Sequence, residues 1–128
     1  MRALVPHRDV AAAQAAGGDG RLSFRVGTAE ELPWPAETFD LVVSSTSFDH
    51  WADQQAGLRQ CFRVLTPGGH LVLVDQVSAW LVPTLVGSRR GKARTKRRAG
   101  TLVTAAGFRS LEWHDLYAVL IRAVTATK

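Results

Sequence analysis

The amino-acid sequence predicts an α/β fold in which parallel strands are joined by a helical crossover and an antiparallel hairpin closes the C-terminal end. Three observations carry this. Residues Thr38 to Asp75 read strand, helix, tight turn, strand. Two further strand-like runs lie close together near the C-terminus. With 128 residues, 46% of them apolar and 21% charged, the chain suits one packed core and not a disordered segment.

Taking the elements in order, Asp9 to Gly17 combines a capping residue, an alanine run and a glycine stop, which predicts a short helix. Gly17-Gly18-Asp19-Gly20 is a connector: a phosphate-cradling loop follows a strand and opens a helix, whereas this one leads out of a helix. Leu22 to Val26 alternates apolar and polar residues, as a half-exposed strand near a sheet edge would. Gly27 to Thr38 is a long loop in which Pro33 and Pro35 bracket Trp34, a ring expected to cover the end of the sheet.

Phe39 to Ser45 is mostly apolar and turns small and polar at its end, the pattern of a central parallel strand buried on both faces. Leu58, Cys61, Phe62 and Leu65 recur at i, i+3, i+4 and i+7, which places a helix between Asp53 and Leu65 with Asp53 as its N-cap. Pro67-Gly68-Gly69 is expected to end that helix, and His70 to Asp75 is the next strand of a right-handed crossover. Gln76 to Gly87 is apolar and broken by Pro83, which suits a lid or a packed loop. Arg97 to Ala106 reads as a helix with Gly107 at its C′ position and Phe108 opening the following strand. Leu111 and Trp113 alternate with Glu112 and His114, and Tyr117 to Val124 is the second, mostly apolar strand of the hairpin.

The net charge of +5 is local. Arg89, Arg90, Lys92, Arg94, Lys96, Arg97 and Arg98 carry seven positive charges in ten residues, and without them the chain would have a net charge of −2. That run has no interleaved aromatic residues for base stacking, so it reads as a solvated basic loop, and nucleic acid is not an expected partner. No window has 18 consecutive apolar residues, and Met1 to Arg8 lacks the apolar centre of a secretion signal, so a cytoplasmic chain with no membrane association is expected. The single cysteine, Cys61, lies on the apolar helix stripe and is assigned to packing. His7, His70 and His114 are scattered, which gives no metal-ligand spacing.

Ligands of parallel α/β sheets bind beyond the carboxyl ends of the strands. The groups at those ends are Gly27-Thr28-Ala29-Glu30, then Ser44-Ser45-Thr46-Ser47 with Phe48-Asp49-His50-Trp51, and Asp75-Gln76. They form a polar, partly aromatic cluster, the candidate site.

Several of these stretches resemble a known family. Gly27-Thr28-Ala29-Glu30-Glu31-Leu32-Pro33-Trp34, Phe39-Asp40-Leu41-Val42, His50-Trp51 and Arg63-Val64-Leu65-Thr66-Pro67-Gly68-Gly69, with a weaker echo at Ala106-Gly107-Phe108, are similar to the back half of class I methyltransferases that use S-adenosylmethionine and act on small molecules. The likeness runs from about Leu22 to the C-terminus. It implies a truncated Rossmann-like methyltransferase sheet, a single partial domain over residues 1–128, S-adenosylmethionine as cofactor and a small-molecule methyl acceptor. By the same resemblance, Thr28 stands where the family usually has an aspartate that accepts from the adenine amino group. Ala29 offers a backbone N–H, Glu30 adjoins both, Ser44 and Ser45 stand beside the methionine part of the cofactor, and His50-Trp51 stands near the substrate entrance. His50 would be the catalytic residue, a general base for the acceptor, against the plainer alternative of a capping or surface histidine beside Asp49.

The family's glycine-rich turn after its first strand, and the acidic residue that follows it, have no counterpart before Leu22. The resemblance implies strand order 3-2-1-4-5-7-6, of which this chain would hold 3, 4, 5, 7 and 6. The expectation is therefore that Leu22 to Val26 pairs directly with Phe39 to Ser45, or that a second copy or another partner completes the sheet. The alternatives to an enzyme part are a non-catalytic methyltransferase-like remnant or scaffold, and a nucleic-acid binder working through the basic loop.

Overall fold

The computed structural model describes residues 3–4, 23–45, 47–75, 96–117 and 121–128. The described elements are β1 (Ala3–Leu4), β2 (Phe39–Ser45), a 3-10 turn (Phe48–His50), α1 (Gln54–Val64), β3 (Leu65–Asp75), α2 (Lys96–Ala105), β4 (Arg109–Tyr117) and β5 (Ile121–Thr127). The predicted helix Asp9 to Gly17, the glycine connector after it, His7, and the apolar segment Gln76 to Gly87 lie outside the described residues, as does the basic run up to Thr95.

The sheet has the order β1-β2-β3-β5-β4. β1, β2 and β3 are parallel, and β5 pairs antiparallel with both β3 and β4. This is the predicted α/β architecture, with the hairpin returning so that its second strand sits inside and its first at the edge. One core unites Phe39, Val42, Leu58, Cys61, Val64, Leu65, Leu71, Leu73, Val103, Phe108 and Val124 between the sheet and the two helices. Among the described residues no helix is long and apolar enough to cross a membrane.

The helix α1 follows its sequence closely. Asp53 caps it, its side chain accepting from the Ala56 N–H at 3.0 Å, and Leu58 and Cys61 are buried on the predicted stripe. Its end differs from expectation. The helix stops at Val64, because Leu65 already pairs as a strand residue with Phe39, ahead of the proline. The partner of Leu41 is then His70, so Thr66 to Gly69 is an insertion in the ladder. Gly68 takes φ +78°, and a Cβ on Gly69 would lie 2.9 Å from the Thr66 carbonyl oxygen, which is why this turn carries two glycines. At the far side, α2 ends as predicted, Gly107 at φ +108° donating to the Thr104 carbonyl at 3.0 Å. The last strand is displaced along the sequence: Tyr117 closes β4, and β5 runs from Ile121 to Thr127.

The edge of β2 corrects a larger expectation. Residues 23–27 have no regular structure, and Val26 is 84% exposed. The described residues 23–26 of the stretch Leu22 to Val26 are therefore not the neighbour of β2. Ala3 and Leu4 of the same chain take that place, in parallel register with Leu41 and Val42. An alternating stretch gains from an edge only if its apolar face meets the core, and the N-terminal residues supply that with Leu4, which packs against it.

Candidate functional site

The crossover sets the geometry of the site. β2 ends at Ser45, the 3-10 turn Phe48–His50 reverses the chain, and α1 starts at Gln54, so the carboxyl end of β2 and the N-terminal turn of α1 share one edge of the sheet. Ser44 is buried, and its hydroxyl shares a 2.7 Å hydrogen bond with that of Ser47. The His50 N–H donates to the Ser47 carbonyl at 2.9 Å, which closes the turn and leaves the imidazole exposed. Ser45 is exposed at the same strand end.

The loop bearing Thr28, Ala29 and Glu30 is bound to this edge by several ties. Glu31 N–H donates to the Thr28 carbonyl at 3.2 Å, forming a tight turn. The Glu30 carboxylate accepts from the Asp53 N–H at 2.9 Å, so it sits at the start of α1. Gln60 Oε1 accepts from the Leu32 N–H at 3.3 Å, while Arg63 donates to the carbonyls of Trp34 at 2.8 Å and Leu32 at 3.1 Å. Arg63 thus ties the loop to the helix, and its Nε also reaches Gln60 at 3.2 Å. Trp34 meets Phe39 edge-on at 5.5 Å between ring centroids, which covers the start of β2. The structure therefore brings the loop 28–30, the Ser44-Ser45 strand end and the His50 turn to one edge through α1. Asp75 ends β3 in register with Arg122 of β5.

Two residues that pattern reading passed over position this edge. Gly57, in the middle of α1, has no space for a side chain: a Cβ there would lie 2.5 Å from Cε3 of Trp51. The ring of Trp51 consequently lies against the helix backbone and meets Phe48 edge-on at 5.1 Å. Gln54 is buried and donates from Nε2 to the Phe48 carbonyl at 3.1 Å. An isolated glycine inside a helical pattern is the sequence signal for the first. Nothing in the sequence distinguishes Gln54 from an exposed helix residue.

Cys61 lies under this surface, buried, and desolvation pushes its thiol up to about 12. Among the described residues no group of three or more histidine, cysteine, aspartate or glutamate side chains could hold a metal ion.

Chemically, the edge offers two paired hydroxyls, one further small polar residue, a backbone turn and an exposed imidazole. Ser44 and Ser47 share a single hydrogen bond, so one hydroxyl hydrogen and several lone pairs are left for a third group. Among the described residues, no glycine-rich turn follows a strand and opens a helix.

Comparison with known proteins bears on the fold and the family. The 2-methyl-6-phytyl-1,4-hydroquinone methyltransferase 1 of Oryza sativa is 46% identical over 57 residues, 43% of this chain and 17% of that protein. The chain spans between about a sixth and a third of the curated relatives it matches. Among solved structures, an S-adenosylmethionine-dependent methyltransferase from Mesorhizobium loti superposes with a TM-score of 0.76 at 18% identity, covering 98% of this chain and 79% of that one. A chain of the Haloferax volcanii complex that contains the Trm112 methyltransferase activator superposes with a TM-score of 0.78 at 19% identity, covering 92% and 66%. At these identities the superpositions establish the fold. The family match begins at residue 5, well before Leu22, so the likeness reaches further towards the N-terminus than the motifs alone suggested. Residues 5–73, more than half of the chain, match the methyltransferase domain family, and the chain belongs to that family.

Proposed function

We propose that this chain forms one partial methyltransferase domain that uses S-adenosylmethionine to methylate a small molecule, and that its cofactor pocket is shared with a segment or partner outside the described residues. The observation that carries the reading is the common edge at which Ser44, Ser45, the Thr28–Glu30 turn and the His50 turn meet around the start of α1.

Bound there, S-adenosylmethionine would supply an electrophilic sulfonium methyl group. The residues of the chain would do the rest. Ser44 and Ser45 leave room beside the strand end and offer hydroxyls to the amino-acid part of the cofactor. The Thr28 hydroxyl accepts from the adenine amino group and the Ala29 N–H donates to the ring, while Glu30 holds this turn against α1 through the Asp53 N–H. His50 receives a proton from the acceptor at an imidazole nitrogen. The edge-on pair Phe48 and Trp51 forms an apolar wall that keeps water from the methyl group. Positioning of this kind is the main demand of methyl transfer.

Sharing of the pocket is supported by two observations. β1 covers Leu41 and Val42 of the seven-residue strand β2, and the part matched in the rice relative is 17% of that protein's length. A partner that adds a strand beside β2, whether a second copy or another protein, would extend the sheet on the side of the site. The fold likeness to the activator complex is consistent with such a partner.

The test is a nuclear magnetic resonance titration of the chain with S-adenosylmethionine up to about 5 mM, a range that detects an affinity near −4 kcal/mol. Saturable shifts confined to the amides of Thr28, Ala29, Ser44, Ser45 and His50 are expected. Shifts elsewhere, or none, would overturn the assignment.

A further inference from the structure

Arg63 is a half-buried cation whose described partners are all neutral oxygens. Its guanidinium donates to the Trp34 carbonyl at 2.8 Å, to the Leu32 carbonyl at 3.1 Å, and twice to Gln60 Oε1, at 2.9 and 3.2 Å. Gln60 Oε1 also accepts from the Leu32 N–H at 3.3 Å, and three converging N–H groups identify that atom as the oxygen of the amide. Taking a charge out of water is costly unless hydrogen bonds replace its hydration. Two of the three acceptors that do so here belong to the loop before β2, so the loop and the guanidinium stabilise each other.

The consequence is concentrated at Leu32. Both of its main-chain polar groups are taken by side chains of α1, the N–H by Gln60 and the carbonyl by Arg63, which fixes the peptide planes on either side of this residue. Leu32 directly follows the tight turn in which Thr28 and Glu31 bridge each other. Arg25, on the other arm of that turn, donates to the Pro33 carbonyl, so both arms are joined to the clamped segment. Within the turn, the Glu30 carboxylate reaches the Asp53 N–H. The turn bearing Thr28 and Ala29 is therefore suspended from two places on one helix, residue 53 and the pair 60 and 63, about 10 Å apart along the axis at a rise of 1.5 Å per residue. The contact at Asp53 is exposed and that at Gln60 and Arg63 is half-buried. One fastening would let the turn swing; the second removes that rotation.

From this arrangement we infer that Gln60 and Arg63 are positioning residues for cofactor recognition: without touching the cofactor, they hold the Thr28–Glu31 turn so that the Thr28 hydroxyl and the Ala29 N–H face the adenine together. The inference rests on the proposed reading of the common edge as an S-adenosylmethionine site and adds the pair that sets its adenine half. A turn that spends only a fraction of its time in the binding orientation lowers the apparent affinity by that same fraction. An arginine suits this task because its planar fork reaches three acceptors at once, whereas a lysine ammonium is a compact point charge.

The test follows the whole chain and its variants R63Q, R63K, Q60L and Q60E by nuclear magnetic resonance, first alone and then titrated with S-adenosylmethionine. Without ligand the readout is amide exchange at Glu31, whose N–H bonds neither Gln60 nor Arg63, with the Leu58 amide inside α1 as the control. R63Q and Q60L should exchange Glu31 at least about fivefold faster with Leu58 unchanged, and lose about the same factor in cofactor affinity. At saturation the Ser44 and Ser45 shifts should match the wild type while those of Thr28 and Ala29 shrink. Q60E should keep wild-type affinity, because a carboxylate oxygen accepts the same three donors, and R63K should recover part of the loss. Unchanged Glu31 exchange, or full affinity in R63Q or Q60L, would overturn the inference. Equal acceleration at Glu31 and Leu58, or loss of the circular dichroism spectrum in both variants, would also overturn it, by reducing the pair to a stabiliser of the fold; if R63Q alone unfolds, Q60L decides. A wild type without shifts at Thr28 and Ala29 refutes the cofactor reading and the inference with it, whereas normal wild-type binding with unaltered variants refutes the positioning role alone.

Discussion

In the proposed site, the side chain of Thr28 is the group that would meet the adenine amino group. A threonine hydroxyl accepts a neutral hydrogen bond, whereas a carboxylate at the same point of the turn would accept a charge-assisted one of roughly twice the strength. The Thr28 carbonyl is already held by the Glu31 N–H, so a substitution would change the side chain and leave the turn in place. Thr28→Asp is expected to tighten S-adenosylmethionine binding about fivefold to tenfold, corresponding to roughly 1 kcal/mol, measured by titrating both proteins under the same conditions. Cys61 belongs to the same scale. Its thiol, raised from 9.0 to about 12 by burial, stays protonated in the fold but ionises above pH 9 once the chain unfolds. The unfolded state then holds fewer protons than the folded one, so stability is complete below pH 9 and is lost as pH rises towards about 12. The loss is on the order of 1 kcal/mol per pH unit. Urea midpoints at pH 8 and about pH 10.5 should show this alkaline decline in the wild type and a smaller one in Cys61→Ala.

Among the elements, α1 bears most of the organisation of the edge. Its first turn receives the Glu30 carboxylate on the Asp53 N–H, its own cap binds Ala56, Gln55 ties it to α2, and Gly57 seats Trp51. The loop before β2 is likewise locked to the end of this helix, Glu37 and Thr38 donating to the carbonyls of Arg63 and Val64 at 2.9 and 2.8 Å. Glu37 reaches that position at φ 55°, a left-handed conformation with a steric cost that these hydrogen bonds offset. At the opposite end, Lys128 donates from Nζ to the Leu65 carbonyl at 2.7 Å, a cation placed at the carbonyl end of the helix. Asp53→Ala should remove the cap and cost about 1 kcal/mol, read as a lower thermal midpoint. Because the Glu30 contact is to the backbone of residue 53, the loop bearing Thr28 should stay docked in that variant, with its amide shifts unchanged.

For the whole molecule the decisive feature is the edge of β2. Val42 and Ser44 of this strand are buried, and the described pairing on its outer side consists of Ala3 with Leu41 and Leu4 with Val42. A strand with free backbone donors and acceptors and an apolar face associates with other strands. Removing residues 1–4 is therefore expected to produce concentration-dependent oligomers in sedimentation velocity, with the full chain less associated at equal concentration. No change in sedimentation would show that β1 does not protect this edge.

How much was legible without coordinates depends on the range of the interaction involved. The helical stripe through Leu58, Cys61 and Phe62, the Asp53 cap, the Gly107 C′ residue and the hairpin are all specified by spacings of a few residues, and the structure has them with bounds shifted by a few positions, Leu65 of the expected stripe falling in the next strand. The polar strand end at Ser44-Ser45 was equally visible, because a change from apolar to small polar residues is local. The neighbour of β2 was not. Ala3-Leu4 and Leu22 to Val26 both carry strand-like residues, and the choice between them is made by backbone pairing across nearly forty residues of chain, which no local pattern encodes. The approach of α2 to α1 is of the same kind. Sequence placed seven positive charges near the start of that helix, but only the hydrogen bond from Gln55 to the Leu102 carbonyl and the edge-on contact of Phe62 with Phe108 decided how the two helices lie together. Short-range chemistry wrote the elements and the family; the meeting of surfaces distant in sequence determined which residues share a site.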